Sequence, residues 1–361
     1  MVVDIQIEPR AQDGNLFGKP VIIAGPCSAE TEEQVMNTAI PLARMGIKIF
    51  RAGIWKPRTR PSTFEGVGPE GLKWLQRVQK ETGMLVSTEV ANVKHVHEAL
   101  KHGVDIIWIG ARTSANPFAV QDIADSLRGV NIPVMVKNPI NPDVDLWIGA
   151  IERINNAGIR QMAAIHRGFS SYDRTLYRNI PQWQVPIELR RRVPEIPLIT
   201  DPSHICGNRD FLLDISQKAM DLSFDGLIIE THCNPEKALS DAKQQVTPDG
   251  LKSILDRIVL RDPEVKEELM LTLAELRDQI DKLDDRIINL LEERMHVSKK
   301  IGEHKKVNNI TILQTKRWDD MLKNRLRLGT RKGLSEEFIV KLFSSIHQES
   351  INHQTDVMNR P

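Results

Sequence analysis

Six basic side chains lie shortly after apolar runs that are rich in Val and Ile, and they carry the first chemical signal in this sequence. They are Arg51, Lys56, Arg58, Arg112, Lys137 and Arg167. Solvated loop residues are the alternative explanation, which weakens because the placement is repeated. Six cations at one site would repel one another unless a ligand brought several negative charges. Since Arg and Lys suit phosphate and carboxylate groups, the pattern predicts a site for a polyanionic small molecule.

A second set of residues at the ends of such runs combines sulfur, nitrogen and oxygen donors. Its members are Cys27, His204, Glu230 and Asp241. One thiolate, one imidazole and two carboxylates suit a divalent transition ion such as Mn²⁺, Fe²⁺, Co²⁺ or Zn²⁺ better than Ca²⁺. A buried free thiol is the competing interpretation of Cys27. The rival ligands, which lie near His204 or Glu230 in the sequence, are Cys206, Cys233 and His232.

These residues need a scaffold in which the ends of several strands meet. About eight apolar runs, from Val21–Ala24 to Leu227–Ile229, alternate with amphipathic stretches over roughly 250 residues. Such runs are typical of parallel strands buried on both faces. We therefore predict an α/β fold, a (β/α)₈ TIM barrel, in which functional side chains collect at the carboxyl ends of the strands. An open doubly wound sheet is the alternative, although no GxGxxG motif follows the first run.

The composition changes near residue 262. Only Gly302, Gly329 and Gly333 of the 21 glycines, and two of the 20 prolines, follow Arg261. Because turn-forming residues become rare there, a few long helices are predicted. The predicted domains are a barrel over residues 1–261, a linker over 262–268 and an all-α, three-helix domain over 269–361.

Apolar residues in the helical domain recur in steps of three and four from Glu264 to about Lys306. This spacing predicts one amphipathic helix of up to ~40 residues, or ~60 Å. Shorter helices are predicted over about Leu313–Leu328 and Ser335–Gln354. Three helices of such unequal length cannot bury so long a stripe alone. We therefore expect a homodimer, or a higher even oligomer, built through this domain.

Charge and hydropathy exclude several classes of protein. The chain has 49 basic and 48 acidic residues, a formal net charge of +1, which argues against a nucleic-acid binder. No apolar run approaches the roughly 18 residues that a membrane span needs. The start of the chain lacks the pattern of a signal peptide, and three cysteines argue against a disulfide scaffold. We expect a cytoplasmic enzyme.

Five segments of the first part resemble those of 3-deoxy-arabino-heptulosonate 7-phosphate (DAHP) synthases. They are GPCS, RAGIWKPRT, IGART, DPSH, and ETH followed by ALSD, and the resemblance covers roughly residues 15–257. The related 3-deoxy-octulosonate 8-phosphate synthases typically carry an extra residue, in a K-A-N-R-type segment, and lack DPSH. This chain has KPRT and DPSH, so it resembles them less. The resemblance implies condensation of phosphoenolpyruvate with erythrose 4-phosphate and release of phosphate. A metal-free aldolase with a Schiff-base lysine is a further alternative.

The resemblance also implies roles for the residues above. The family's metal ligands match Cys27, His204, Glu230 and Asp241, and Mn²⁺ is our first choice of ion. Its phosphoenolpyruvate contacts match Arg112, Lys137 and Arg167, with Arg51 and the Gly110 and Ala111 backbone nearby. Its contacts to the aldose phosphate match Lys56, Arg58 and Thr59. Lys137 could also transfer a proton.

The segment ELRDQIDKLDDRIINLLEERMHVSKKIGEHK resembles the all-helical chorismate mutases, and the resemblance covers about residues 266–355. It implies a dimeric site that rearranges chorismate to prephenate. The family's contacts to the two carboxylates of chorismate match Arg277, Arg294 and Arg317. Its contacts to the ether oxygen match Lys305 and Gln354. Ser350 is also kept, four residues before Gln354 and on the same helix face.

Arg277 and Arg294 are 17 residues apart, about 25 Å along a straight helix. They cannot hold one small molecule from the same chain, so Arg277 would reach Arg294 and Lys305 of a partner. Gln314 and Trp318 stand where family members often carry carboxylates. Their presence leaves a non-catalytic dimerisation or ligand-sensing module as the alternative function of this domain. We also expect feedback on the barrel by prephenate or chorismate, because the two reactions are not consecutive.

Overall fold

The computed structural model describes residues 5–7, 16–17, 20–56, 63–172, 175–261 and 267–359. The chain divides into two compact units, Met1–Pro263 and Glu264–Pro361. Within the described residues, no helix is both long and apolar enough to cross a membrane.

The first unit is a closed barrel, which confirms the predicted architecture. Among the described residues, eight parallel strands pair in sequence order, and the last strand pairs with the first. The strands are β1 (Val21–Gly25), β2 (Ile49–Arg51), β3 (Leu85–Val90), β4 (Ile106–Ile109), β5 (Val134–Lys137), β6 (Met162–His166), β7 (Leu198–Thr200) and β8 (Gly226–Glu230).

Helices follow the strands and cover the outside of the barrel. They are α1 (Glu32–Arg44), α2 (Glu70–Thr82), α3 (Val93–Lys101), α4 (Ala111–Ser114), α5 (Pro117–Ser126), α6 (Val144–Asn156), α7 (Gln184–Arg192), α8 (Pro202–Cys206), α9 (Leu212–Asp221) and α10 (Pro248–Arg257). Two short 3₁₀ turns, Pro235–Lys237 and Ala242–Gln244, lie in the segment between β8 and α10.

Successive strand residues alternate between two buried layers, as the period of a β-strand requires. Ile49 and Trp108 belong to the layer that fills the barrel interior. Phe50 and Ile107, their neighbours in sequence, pack in the layer beneath the helices. The interior is therefore a packed apolar core, and polar chemistry is confined to the ends of the strands.

His166, the last residue of β6, is a fully buried histidine in this unit. Its Nε2 donates a hydrogen bond to the Pro181 carbonyl at 2.6 Å, and the Trp183 ring packs with its centroid 4.9 Å away. Burial, together with the charge of Arg167, lowers the pKa of His166 from 6.5 to about 4. The ring is therefore neutral in the folded protein near pH 7.

Because His166 has a lowered pKa in the folded protein, we expect the free energy of unfolding to decrease in mild acid. Since the unfolded chain protonates near pH 6.5 and the folded chain near pH 4, the unfolded state gains a proton as the pH falls between these values. As the pH falls from 7 to 5, the titration of His166 should lower the free energy of unfolding by about 2 kcal/mol. Urea unfolding of the parent and of His166→Phe at both pH values measures this difference. An equal loss in both proteins would contradict the assignment.

The second unit consists of three helices in its described residues: α11 (Glu267–Val307), α12 (Thr315–Arg331) and α13 (Glu336–Asn359). The predicted helices are thus confirmed, and α13 extends five residues beyond its predicted end at Gln354. Helix α11 packs along α13, and Gly302 lies at their contact. A Cβ at Gly302 would be 3.2 Å from Cα of Gln354. Glycine weakens a helix, but at this position its lack of a side chain lets α13 approach α11 closely.

Candidate active sites

Three of the four predicted metal ligands meet at the carboxyl ends of the barrel strands. Cys27 follows β1, Glu230 ends β8, and Asp241 lies on the segment after β8. One ligand atom from each lies within 4.8 Å of the others. Cys27 Sγ is 3.3 Å from Asp241 Oδ2. The barrel thus brings Cys27 together with two residues that follow it by more than 200 positions.

His204, the fourth predicted ligand, lies at the edge of this cluster. Its Nε2 is 3.7 Å from Glu230 Oε1. On the other side of the ring, Nδ1 is 2.8 Å from Asp201 Oδ2. Asp201 also accepts a hydrogen bond from the His204 backbone at the start of α8. A buried carboxylate thus fixes the imidazole with Nε2 toward the cluster, as outer residues of metal sites commonly do.

The rival ligands do not join the described cluster. Cys206 belongs to the apolar core beneath the helices. His232 has its Nε2 3.6 Å from Glu30 Oε2, and its Nδ1 accepts from the Asn234 backbone at 2.8 Å. Cys233 Sγ lies 3.9 Å from that same Nδ1. These contacts place the three side chains in structural roles within the described residues.

The electrostatics of the cluster suit a cation. Burial, assisted by the negative charge of Glu230, raises the pKa of the Cys27 thiol to about 12. Burial also opposes ionisation of Asp241, yet Arg178, His204 and Lys56 together hold the pKa of its carboxyl well below the usual value. The cluster thus offers two carboxylates and one thiol as donors to a divalent ion. Burial disfavours the thiolate form of Cys27, and a bound cation would stabilise that form.

The segment that carries Asp241 is held to the first loop of the barrel by hydrogen bonds that the sequence did not reveal. Gln245 Oε1 accepts from the Cys27 backbone at 2.8 Å, and its Nε2 donates to the Ser240 carbonyl at 2.8 Å. Gln244 Nε2 donates to Glu230 Oε2 at 2.7 Å. Asp241 itself has φ +48°, a left-handed conformation that such bonds help to maintain.

Four of the six predicted cations lie close to this cluster or to its supporting residues. Lys56 Nζ is 3.0 Å from Cys27 Sγ, and Arg51 Nη2 is 3.2 Å from Glu230 Oε1. Lys137 Nζ, which is buried, is 2.8 Å from Asp201 Oδ2. The fourth is Arg167, whose Nη1 donates to Asn179 Oδ1 at 2.8 Å. The barrel mouth therefore holds a concentration of positive charge.

This concentration is visible in the pKa of Arg167. Burial lowers that pKa to about 10, and the positive charges of Arg178 and Arg112 act in the same direction, against the attraction of Asp201. Arg112, which is exposed at the start of α4, therefore acts electrostatically on Arg167. A ligand with several negative charges would relieve this repulsion.

Gly110, the residue before α4, lies against the side chain of Glu89. A Cβ at this position would lie 2.0 Å from Glu89 Oε1, so a side chain at Gly110 would displace the Glu89 carboxylate from its present place. Glu89 in turn accepts a hydrogen bond from Trp108 Nε1 at 3.1 Å. The remaining predicted contacts, Arg58 and Thr59, lie outside the described residues.

The helical unit brings together four of its six predicted site residues. Lys305 Nζ, on α11, donates to Gln354 Oε1 of α13 at 3.2 Å and to the Ile312 carbonyl at 2.5 Å. Arg294 Nη1, also on α11, donates to Ser350 Oγ, and Ser350 lies one helical turn before Gln354 on α13. Burial lowers the pKa of Lys305 and of Arg294. Two partly desolvated cations thus lie beside two neutral hydrogen-bonding side chains.

The other two predicted contacts stand apart from this group. Arg277 is exposed on α11, and Arg317 is exposed on α12. Gln314 lines a cavity of about 370 Å³ together with Lys305 and Ile301. Trp318 stacks on His347, a residue that sequence reasoning did not select. Its three-residue separation from Ser350 on the same helix was the signal that could have found it.

Fold and sites together define the class of this chain. It joins a (β/α)₈-barrel enzyme, whose mouth suits phosphorylated anions, to a helical domain with a second cationic site. The chain belongs to the DAHP synthetase I family, whose model matches residues 5–266, and residues 276–355 match the model of chorismate mutase type II. It is therefore an enzyme of both kinds, a DAHP synthase and a chorismate mutase in one chain.

Individual relatives agree with this assignment. Phospho-2-dehydro-3-deoxyheptonate aldolase of Thermotoga maritima is 35% identical over 66% of this chain and 68% of its own length. A crystal structure of that DAHP synthase superposes with a TM-score of 0.60 and 32% identity, covering 66% of this chain and 67% of its own. The 2-dehydro-3-deoxyphosphooctonate aldolase of Geobacter sulfurreducens is 27% identical over 68% of this chain and 93% of its own. The chain is thus more similar to the heptonate enzyme than to this octonate enzyme, in agreement with the choice that the KPRT and DPSH segments favour.

Proposed function

We propose that the barrel condenses phosphoenolpyruvate with erythrose 4-phosphate. A new bond would join C3 of phosphoenolpyruvate to the aldehyde carbon, whose oxygen would take a proton. Water would add at C2, and the bond from C2 to the phosphate oxygen would break, which leaves a ketone at C2 and releases inorganic phosphate. The observation that carries this proposal is the convergence of Lys56, Arg51 and Lys137 around the cluster of Cys27 and Glu230. Two phosphates and one carboxylate are the groups that such a mouth would bind.

The arrangement supports a division of labour among the cations. Arg112, Lys137 and Arg167 would bind phosphoenolpyruvate, with Arg51 and the Gly110–Ala111 backbone beside it. Lys56, together with Arg58 and Thr59, would bind the aldose phosphate. Lys137 has Asp201 as a hydrogen-bonded partner at 2.8 Å, which gives it a route for moving a proton. The substrates would thus be positioned by charge from several strand ends at once.

The choice of aldose can be tested directly. Phosphate release is measured with phosphoenolpyruvate and either erythrose 4-phosphate or the five-carbon arabinose 5-phosphate. We expect kcat/KM to be at least about 100-fold higher with erythrose 4-phosphate, since binding energy from the phosphate depends on the length of the aldose. Preference for the five-carbon sugar would show that the product has eight carbons.

We further propose that a divalent ion, Mn²⁺ in the first place, is held by Cys27, Glu230, Asp241 and His204. Support comes from the three donors whose ligand atoms lie within 4.8 Å of one another, with His204 Nε2 3.7 Å from Glu230 Oε1 at their edge. Fe²⁺, Co²⁺ and Zn²⁺ also suit this donor set. When bound, such an ion would supply Lewis-acid polarisation of the aldehyde.

For the helical domain, we propose that the group of Arg294, Lys305, Ser350 and Gln354 is the chorismate site. Arg294 would bind a carboxylate, and Lys305 with Gln354 would donate hydrogen bonds to the ether oxygen as negative charge develops there. The observation that carries this is the contact of Lys305 with Gln354 at 3.2 Å. Positioning and electrostatics suffice for a pericyclic rearrangement, which needs no nucleophile.

A homodimer through α11 would complete that site. Leu276, Ile280, Leu283 and Ile287 are each at least half exposed and recur in steps of three and four along α11. A partner helix that covers this stripe in the antiparallel direction would bring Arg277 of one chain to Arg294 and Lys305 of the other. The exposed position of Arg277 supports this arrangement.

The shared site predicts complementation between two inactive variants. Arg277→Ala and Arg294→Ala should each lose nearly all chorismate turnover. In a re-equilibrated equimolar mixture, half of the dimers are mixed and each has one intact site, so activity should return to about a quarter of the parent. Turnover is measured by chorismate disappearance. A mixture that remains inactive although sedimentation shows exchanged dimers would contradict the shared site.

We also propose feedback, in which prephenate or chorismate bound in the helical domain restrains DAHP formation. Support comes from the presence of two non-consecutive enzymes in one chain. The condensation rate is measured with and without saturating prephenate. If it does not change, feedback by prephenate is absent.

A further inference from the structure

A stacked aromatic pair lies beside the cations of the helical site. Trp318 of α12 and His347 of α13 have ring centroids 4.0 Å apart, with an interplanar angle of 24°. Both side chains are half-buried. His347 precedes Ser350 by three residues and Gln354 by seven, so the three share one face of α13. The pair therefore belongs to the same helix face as the proposed chorismate site.

His347 also lies within electrostatic range of both cations of that site. Burial lowers its pKa, and the positive charges of Arg294 and Lys305 lower it further. The imidazole is thus neutral near pH 7 and offers one N–H donor and one acceptor nitrogen. Among the described residues, neither of its ring nitrogens has a hydrogen-bond partner, which leaves both to a ligand.

The chemistry of chorismate calls for such a group. Its two carboxylates suit Arg, and its ether oxygen suits Lys305 and Gln354, but its ring also carries a hydroxyl. Arg and Lys side chains only donate hydrogen bonds, so they cannot accept the proton of that hydroxyl. Trp318, which stands where related sequences often carry a carboxylate, offers a donor alone. On the same face of α13, Ser350 Oγ and Gln354 Oε1 already accept from Arg294 and Lys305, whereas His347 offers a further acceptor nitrogen.

We propose that His347, held by its stack on Trp318, is a specificity residue that accepts a hydrogen bond from the ring hydroxyl of chorismate. It would take the place of the carboxylate that this chain lacks. The inference rests on the proposed location of the chorismate site. The hydroxyl takes no part in the bond rearrangement, so this contact should be equally strong in the ground state and the transition state. Its loss should therefore raise KM and leave kcat nearly unchanged.

The test compares His347→Phe, which keeps a ring to stack on Trp318, with His347→Gln, which keeps an acceptor. Steady-state kinetics are measured with chorismate and with an analogue that lacks the ring hydroxyl. For chorismate, His347→Phe should raise KM about tenfold and change kcat by less than about twofold. His347→Gln should lie closer to the parent. For the analogue, the parent and His347→Phe should have similar KM values.

Several results would overturn the inference. They are an unchanged KM for chorismate in His347→Phe, a loss confined to kcat, or an equal rise in KM with the analogue. Arg294→Ala is measured alongside. If that variant also retains parental kinetics, the proposed site itself is misplaced. If Arg294→Ala is inactive while His347→Phe equals the parent, the site stands and only the role of His347 fails.

Discussion

Chelation with EDTA should lower the rate of DAHP formation at least about 1000-fold, and added Mn²⁺ should restore it. Lewis-acid activation of a carbonyl contributes several kcal/mol, and each 1.4 kcal/mol corresponds to a factor of ten in rate. Cys27, Glu230 and Asp241 form a donor cluster that such an ion would occupy. The measurement is phosphate release from phosphoenolpyruvate in the presence of erythrose 4-phosphate.

The control for chelation is in the same chain. The four residues proposed for the chorismate site, Arg294, Lys305, Ser350 and Gln354, include no carboxylate or thiol to hold a divalent ion. Chorismate turnover should therefore be unchanged by EDTA. Cys27→Ala should reproduce the effect of chelation and should not respond to added Mn²⁺. Full DAHP formation in EDTA would favour the metal-free Schiff-base mechanism that the sequence left open.

Replacement of Lys305 by Ala should lower kcat for chorismate about 100- to 1000-fold. Removal of one donor that stabilises developing negative charge on oxygen has an effect of this size. Lys305 is buried and contacts Gln354, so it is placed to act on the ether oxygen as charge develops. The effect should fall on kcat more than on KM, because the charge is greatest in the transition state.

Two further variants separate catalysis from stability. Lys305 also donates to the Ile312 carbonyl, and its loss could loosen the end of α11. Lys305→Gln keeps a donor there, and Lys323→Ala removes an exposed lysine of α12 as a matched control. Thermal melts followed by circular dichroism report folding. A folded Lys305→Ala variant with parental kcat would contradict the assigned role.

The barrel site could be predicted from the sequence because the fold places strand ends together. Arg51, Lys137 and Glu230 are the last residues of β2, β5 and β8. Each follows an apolar run that is recognisable by its composition. Once eight such runs predict a parallel barrel, all eight ends must lie on one side, so the polar residues that follow them meet.

The supporting residues could not be predicted in this way. Gln245 and Asp201 act through contacts with Cys27 and Lys137, which are 218 and 64 residues away in the sequence. The stack of Trp318 on His347 depends on how α12 packs against α13, which a period of 3.6 residues does not define. Gly302 gave no functional signal, since only the approach of α13 shows why a side chain is excluded there.

One paired assay tests most directly whether this chain carries two separate active sites. DAHP formation and chorismate turnover are measured on the same preparations of parent, Cys27→Ala and Arg294→Ala. We expect Cys27→Ala to lose DAHP formation and keep chorismate turnover, and Arg294→Ala to show the reverse. A folded variant that loses both activities, or keeps both, would contradict this expectation.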